Sequence, residues 1–236
     1  SALKELVSKV GINASAWQLP YRNLDSKTGM LVICQPTESL SELDTSQILE
    51  WVKKGNDSVY LDHFSYKMTR RLPTGIDIQI KDGEEVVDKT VLVDRDKKIP
   101  EFYKVPALMI SAERRIIGGK PILSDKSGTL LSVIDHGKGR ILLGTTPNLC
   151  SNRRLDTQAD WANFQFMINW LRTARGEVFF DEKCHGFSSA TNVFHYLLRG
   201  PAGLIFWQLL LILAVAVLSS RQRFGAMRHI VITRKI

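Results

Sequence analysis

Cysteine is scarce in this chain: Cys34, Cys150 and Cys184 are the only three in 236 residues. They are too few and too scattered for a disulfide scaffold, although one bridge could form in an oxidising compartment. None stands in a C-x-x-C pair, which argues against a structural zinc site. None lies in the G-x-C-x-G setting that a tight strand–nucleophile–helix elbow needs; Cys34 is flanked by Ile33, Gln35 and Pro36. Internal repeats and low-complexity tracts are also missing. Basic residues are not interleaved with aromatics at stacking intervals, so the net charge of +8 is no nucleic-acid signature. Five of those charges lie at Arg221, Arg223, Arg228, Arg234 and Lys235, which leaves a modest excess of three for residues 1–220. The cluster Lys67, Arg70 and Arg71 reads as a solvated loop.

Charge of either sign is absent between Arg199 and Arg221. Only Gln208 interrupts the apolar surface of a helix through this stretch, and about 20 helical residues cover roughly 30 Å, a bilayer's hydrocarbon core. The pattern predicts a C-terminal transmembrane helix over 201–220, with Trp207 near an interface. The basic tail 221–236 holds no acidic residue and is expected on the cytoplasmic side. Residues 1–198 are then expected outside the cytoplasm, at the cell membrane. The chain opens on an amphipathic helix with Leu3, Leu6, Val7 and Val10 on one face. An α/β domain more often opens with a strand, so an upstream strand and an N-terminal anchor are expected before Ser1.

The remainder reads as a doubly wound α/β domain carrying an antiparallel β insertion. Residues 12–19, 30–34 and 58–62 are predicted strands, the second a continuous apolar run stopped by Gln35-Pro36. Between the last two, Ser39 and Ser41 are candidate caps for a helix carrying Ile48, Leu49 and Val52. From about 75 to 139 the turns Asp82-Gly83, Gly118-Gly119, Lys126-Ser-Gly128 and Gly137-Lys-Gly139 signal hairpins, the clearest joining 129–135 to 140–144. A helix over 158–174 follows, with Trp161, Phe164, Ile168 and Leu171 on one stripe and Phe166, Met167 and Trp170 widening it. Its cap is expected at Asp156-Thr157. Residues 177–181 form another strand, and 189–199 a helix.

Two segments can carry chemistry. Asp181, Glu182 and His185 follow a predicted buried strand, where ligands collect in open α/β sheets. Together they have the donors for a metal or for acid–base work, and Cys184 beside His185 offers a thiolate. The same residues would serve equally well as loop caps and turn formers. The loop 145–152 offers Thr146, Asn148 and Asn152 at another strand end, as anion contacts or simply as turn-stabilising side chains. Cys34 reads as a buried structural thiol.

The run Gly139-Arg-Ile-Leu-Leu-Gly144, then Pro147, Leu149 and Asn152, Asn163, Phe180-Asp-Glu, His185-Gly186 and Arg223-Phe-Gly225 resembles the domain-of-unknown-function family 4350. The resemblance implies a membrane-anchored domain with a flavodoxin-like core, similar to class I glutamine amidotransferase-like folds. It also implies a MoxR-type ATPase and membrane-complex proteins as neighbours. Thr146 and Cys184 depart from an acidic residue and a second histidine common in the family, which weakens a metal site. The expected function is a noncatalytic ligand- or protein-binding scaffold at Thr146, Asn148, Asn152, Asp181, Glu182 and His185, without a cofactor. The alternative is a hydrolase or amidotransferase-like enzyme using His185 with Cys184 or a metal.

Overall fold

The computed structural model of the chain describes residues 2–64, 78–93, 99–150, 158–186 and 201–223. The chain divides into two compact units, residues 1–188 and 189–236. In the first, α1 (Ala2–Lys9) leads to β1 (Ala14–Trp17), β2 (Gly29–Cys34), α2 (Glu42–Lys53) and β3 (Asp57–Leu61). Then come β4 (Gln79–Leu92), β5 (Ala107–Ile117), β6 (Lys120–Asp125), β7 (Gly128–His136) and β8 (Gly139–Gly144). The unit closes with α3 (Gln158–Leu171) and β9 (Glu177–Asp181), and the described part of the second unit is α4 (Pro201–Arg223).

One nine-stranded sheet organises the first unit, in the order β1-β9-β2-β3-β8-β7-β5-β4, with β6 paired to β7 off this path. The five strands β1, β9, β2, β3 and β8 are parallel. From β8 onward the pairing is antiparallel through β7, β5 and β4. The hairpin expected around Gly137-Lys138 is the joint between these halves, because β8 pairs with β7 on one side and β3 on the other. The antiparallel strands therefore extend the same sheet rather than forming a separate inserted layer.

Two expectations about the fold are corrected. A flavodoxin-like core has the strand order 2-1-3-4-5, with the chain's opening strand in second place. Here the parallel strands, numbered as they occur, run 1-5-2-3-4, and β9, the last of them, occupies that place between β1 and β2. The architecture is a mixed α/β fold around a nine-stranded sheet. The second correction concerns the membrane: among the described residues, no helix is long and apolar enough to cross one. Helix α4 takes in Gln208, Ser219, Ser220, Arg221, Gln222 and Arg223, so its longest unbroken apolar run is 209–218. The transmembrane helix, and the cell-membrane location and sidedness inferred from it, are withdrawn. The helix expected at 189–199, the Lys67–Arg71 patch and the cap at 156–157 lie outside the described residues.

Burial explains why the parallel half holds. In β2, Met30 and Val32 face one side and Leu31 and Ile33 the other, and all four are buried. Both faces of a parallel sheet are covered, so its strands carry apolar side chains at every position. One face packs under Leu3 and Val7 of α1 and Phe166, Met167, Trp170 and Leu171 of α3. The other packs under Ile48, Leu49, Trp51 and Val52 of α2, with Tyr21 and Leu24. Each such fully buried side chain is worth about 1.5–3 kcal/mol against exposure. Helix α2 starts on a capping box between Ser41 and Asp44, so Ser41 and not Ser39 is its cap. In α3 the inward residues are Asn163, Phe166, Met167, Ile168, Trp170 and Leu171, while Trp161 stands 59% exposed.

Candidate functional site

Parallel pairing brings the carboxyl ends of β1, β9, β2, β3 and β8 to one edge: Trp17, Asp181, Cys34, Leu61 and Gly144. The chain leaving β2 turns to α2 on one face, and the chain leaving β8 turns to α3 on the other. β3 lies between them, at the reversal where open α/β sheets form a crevice. The ladder continues one residue past the strands: the Gln35 amide donates to Leu61 O at 2.7 Å and the Asp62 amide to Gly144 O at 3.1 Å. Gln35 and Phe64, just beyond β2 and β3, both have φ of +50°. Left-handed backbone at residues other than glycine costs about 1–3 kcal/mol each and gathers at functional sites.

At the end of β9, Asp181 is buried and internally engaged. Its Oδ2 accepts the Tyr21 hydroxyl at 2.5 Å, and its Oδ1 accepts the Lys183 amide at 3.0 Å. Burial raises its carboxyl above the usual range, against the opposing Tyr21 bond. Tyr21 is in turn held as a neutral phenol by burial and by the Asp181 charge. The Lys183 ammonium sits 4.2 Å over the Tyr21 ring and 2.9 Å from Asp44. The 3-10 turn Lys183–His185 places Cys184 inward, its thiol 3.7 Å from Asp181 O, and ends on Gly186 at φ +83°. Burial, then the Asp181 charge, push the Cys184 thiol well up. Glu182 and His185 are half-buried on the rim.

At the end of β8 the side chains are also committed. Thr146 is fully buried and its hydroxyl donates to Asn148 Oδ1. The same Oδ1 accepts the Ser111 amide at 3.3 Å, while Asn148 Nδ2 donates to Met109 O at 3.0 Å. Asn163 of α3 grips Met109 from its own side, accepting its amide at 2.9 Å and donating to its carbonyl at 2.7 Å. Thr146 and Asn148 thus fasten the 3-10 turn Pro147–Cys150 to β5. Asn152 lies outside the described residues.

β2 and β3 stand between β9 and β8, so the two groups read from the sequence lie three strand spacings apart, roughly 14 Å. Between them are Cys34 and Asp62. The Cys34 thiol donates to Pro147 O at 3.5 Å, the first carbonyl of the turn that ends in Cys150. Hydrogen bonding with Cys150, then burial, push the Cys34 thiol well above its ordinary value. Asp62 is 4% exposed, and its Oδ2 is buried with no hydrogen-bond partner. Burial raises this carboxyl too, opposed by bonds from the His63 and Phe64 amides. Asp62 lies one residue past β3 and is not among the residues the sequence singles out, because only His63 accompanies it, with no second acid or cysteine such as Glu182 and Cys184 supply beside Asp181. No group of three or more His, Cys, Asp or Glu close enough to hold a metal occurs among the described residues.

The sheet and its carboxyl edge define a mixed α/β domain. The chain belongs to the family Domain of unknown function (DUF4350), which it matches over residues 1–171. Its fold is similar to that of Cytoplasmic Protein STM1381 from Salmonella typhimurium LT2, with a TM-score of 0.51 at 10% identity over 73% of this chain and 86% of that one. The mmIFT52 N-terminal domain superimposes with a TM-score of 0.48 at 14% identity, over 72% of this chain and 89% of that one. At 10% identity the likeness to the first speaks of fold alone. No curated protein matches the sequence.

Proposed function

We propose that the domain is a noncatalytic module that binds a ligand or a protein partner along the carboxyl edge of its parallel strands. The observation that carries this reading is the state of the thiols beside the candidate acids. Cys34 and Cys184 are both held protonated, one by Cys150 and burial, the other by burial and Asp181. A thiol raised in this way is a poor nucleophile, since the thiolate is the attacking form. The edge therefore offers strained loops and an unsatisfied carboxyl oxygen, and neither Cys34 nor Cys184 is an activated thiol. Glu182 and His185 form its accessible rim. The likeness to class I glutamine amidotransferase-like domains belongs to this proposal as one of architecture only. The partner we propose is a protein of an assembly containing a MoxR-type ATPase, as the family resemblance implies.

The test is cross-linking of the full-length protein in its native cells, followed by mass spectrometry. Links from 144–186 to one reproducible partner are expected, and Glu182→Ala with His185→Ala should reduce them without lowering the unfolding midpoint. Unchanged links in that double variant would overturn the reading. A parallel measurement is alkylation of the native protein with iodoacetamide near neutral pH. Cys184 should react far more slowly than a free cysteine; fast, selective labelling would favour an enzyme instead.

A further inference from the structure

The oxygen that the fold leaves without a partner lies at the middle of the candidate edge. Asp62 follows β3, the strand flanked by the two whose loops diverge to opposite faces of the sheet. Its backbone is fixed, with the amide bonded to Gly144 O at 3.1 Å. Its carboxyl receives the His63 and Phe64 amides, and still Oδ2 has no donor. No ion pair reaches it among the described residues, whereas the buried carboxylates Asp57 and Asp125 are paired with Arg140 and Arg115. A buried polar atom left unpaired costs about 1–3 kcal/mol, so it stands out against a domain that pairs its other buried acids. The neighbouring Phe64 holds a left-handed backbone, a second local cost at the same point. His63, next in the chain, acts on this carboxyl electrostatically as well as through its amide, and Cys34 lies within the same reach.

We propose that Asp62 is the anchoring carboxyl of the binding edge, and that it takes a guanidinium or ammonium group. An acceptor-only oxygen selects an N–H donor, and a carboxylate selects a cationic one, because charge-assisted bonds are roughly twice as strong as neutral ones. The cation arrives either on a free small molecule or on an arginine or lysine side chain of the protein partner. This inference rests on the reading of the edge as a binding surface.

The experiment is calorimetric titration of the full chain with agmatine, with N-butylurea as the neutral counterpart, and with acetyl-Gly-Arg-Gly-amide. Agmatine or the peptide should bind at least 10-fold more tightly than N-butylurea, and Asp62→Asn should abolish that preference. Agmatine bound better than the peptide points to a free ligand; the reverse order points to a partner's side chain. Asp62→Asn should keep a cooperative transition with its midpoint unchanged or raised, because a ligand-seeking oxygen has been removed. Should that variant fold poorly, Asp62→Ser serves as the second substitution. Equal binding of cation and urea, or a preference that survives Asp62→Asn, would overturn the proposal. If that happens while Glu182→Ala with His185→Ala still weakens partner cross-links, the edge remains a binding surface and only the cation fails. Loss of both results would remove the edge as well.

Discussion

Tyr21 and Asp181 show how a residue that looks functional becomes structural once its partners are known. The phenol bridges β9 to the segment between β1 and β2, across 160 residues of chain. Tyr21→Phe removes one donor and leaves a buried carboxylate oxygen short of a bond, which should cost about 1–3 kcal/mol. Urea denaturation should show a lower midpoint at unchanged slope. Asp62 and Asp181 also make stability depend on pH in a definite direction. Burial raises both carboxyls, so the folded chain binds these protons more tightly than the unfolded one. Stability should then fall as pH rises through a window opening at about 4, the unfolded aspartate value, and extending to the raised folded values. Thermal melts of Asp62→Asn should show a shallower decline across that window than the parent; an identical slope would mean Asp62 titrates as it does unfolded.

Individual elements were legible where a local rule sufficed. β2 announces itself as an uncharged apolar run, and α2 by Ser41 with Asp44 three residues on. The hairpin of β7 and β8 follows from the Gly137-Lys138 turn. Helix α3 was legible as a helix and in most of its inward surface, Ile168, Leu171, Phe166, Met167 and Trp170 being buried and Phe164 packed against them; Trp161 alone of the expected surface stands exposed. Helix α4 was misread because the length of the uncharged stretch was weighed ahead of the polar residues within and after it. Of the candidate residues, the strand end was legible: a strand closing on Asp181 points to the carboxyl edge of the sheet, but the pairing of Asp181 with Tyr21 depends on contacts 160 residues apart. Gly139, at the start of β8, tests the tightness of this packing. A Cβ there would lie 1.9 Å from Asn56 O and 2.3 Å from Val52 O, both backbone atoms that cannot swing away. Gly139→Ala should destabilise by about 1–3 kcal/mol or fail to fold, as overpacking does; a wild-type melting temperature would mean that the α2–β3 turn moves freely.

Across the whole molecule, strand order is the feature least visible in sequence, since it pairs segments from opposite ends of the first unit. β9 lies between β1 and β2, and β1 has no other strand neighbour among the described residues. The family match ends at residue 171, before β9 begins. A fragment of residues 1–188 should therefore unfold in one cooperative transition, whereas residues 1–172, lacking an interior strand, should not. Circular dichroism of the two fragments decides this, and a cooperative melt of the shorter one would mean β9 is dispensable. The same topology bears on synthesis. Ala14 pairs with Val178. At about 5–20 residues per second, the ribosome adds Val178 on the order of ten seconds after Ala14. Throughout that interval the nascent chain holds β2 with one edge uncovered, an invitation to mispairing that a chaperone bound to the emerging polypeptide would be well placed to shield.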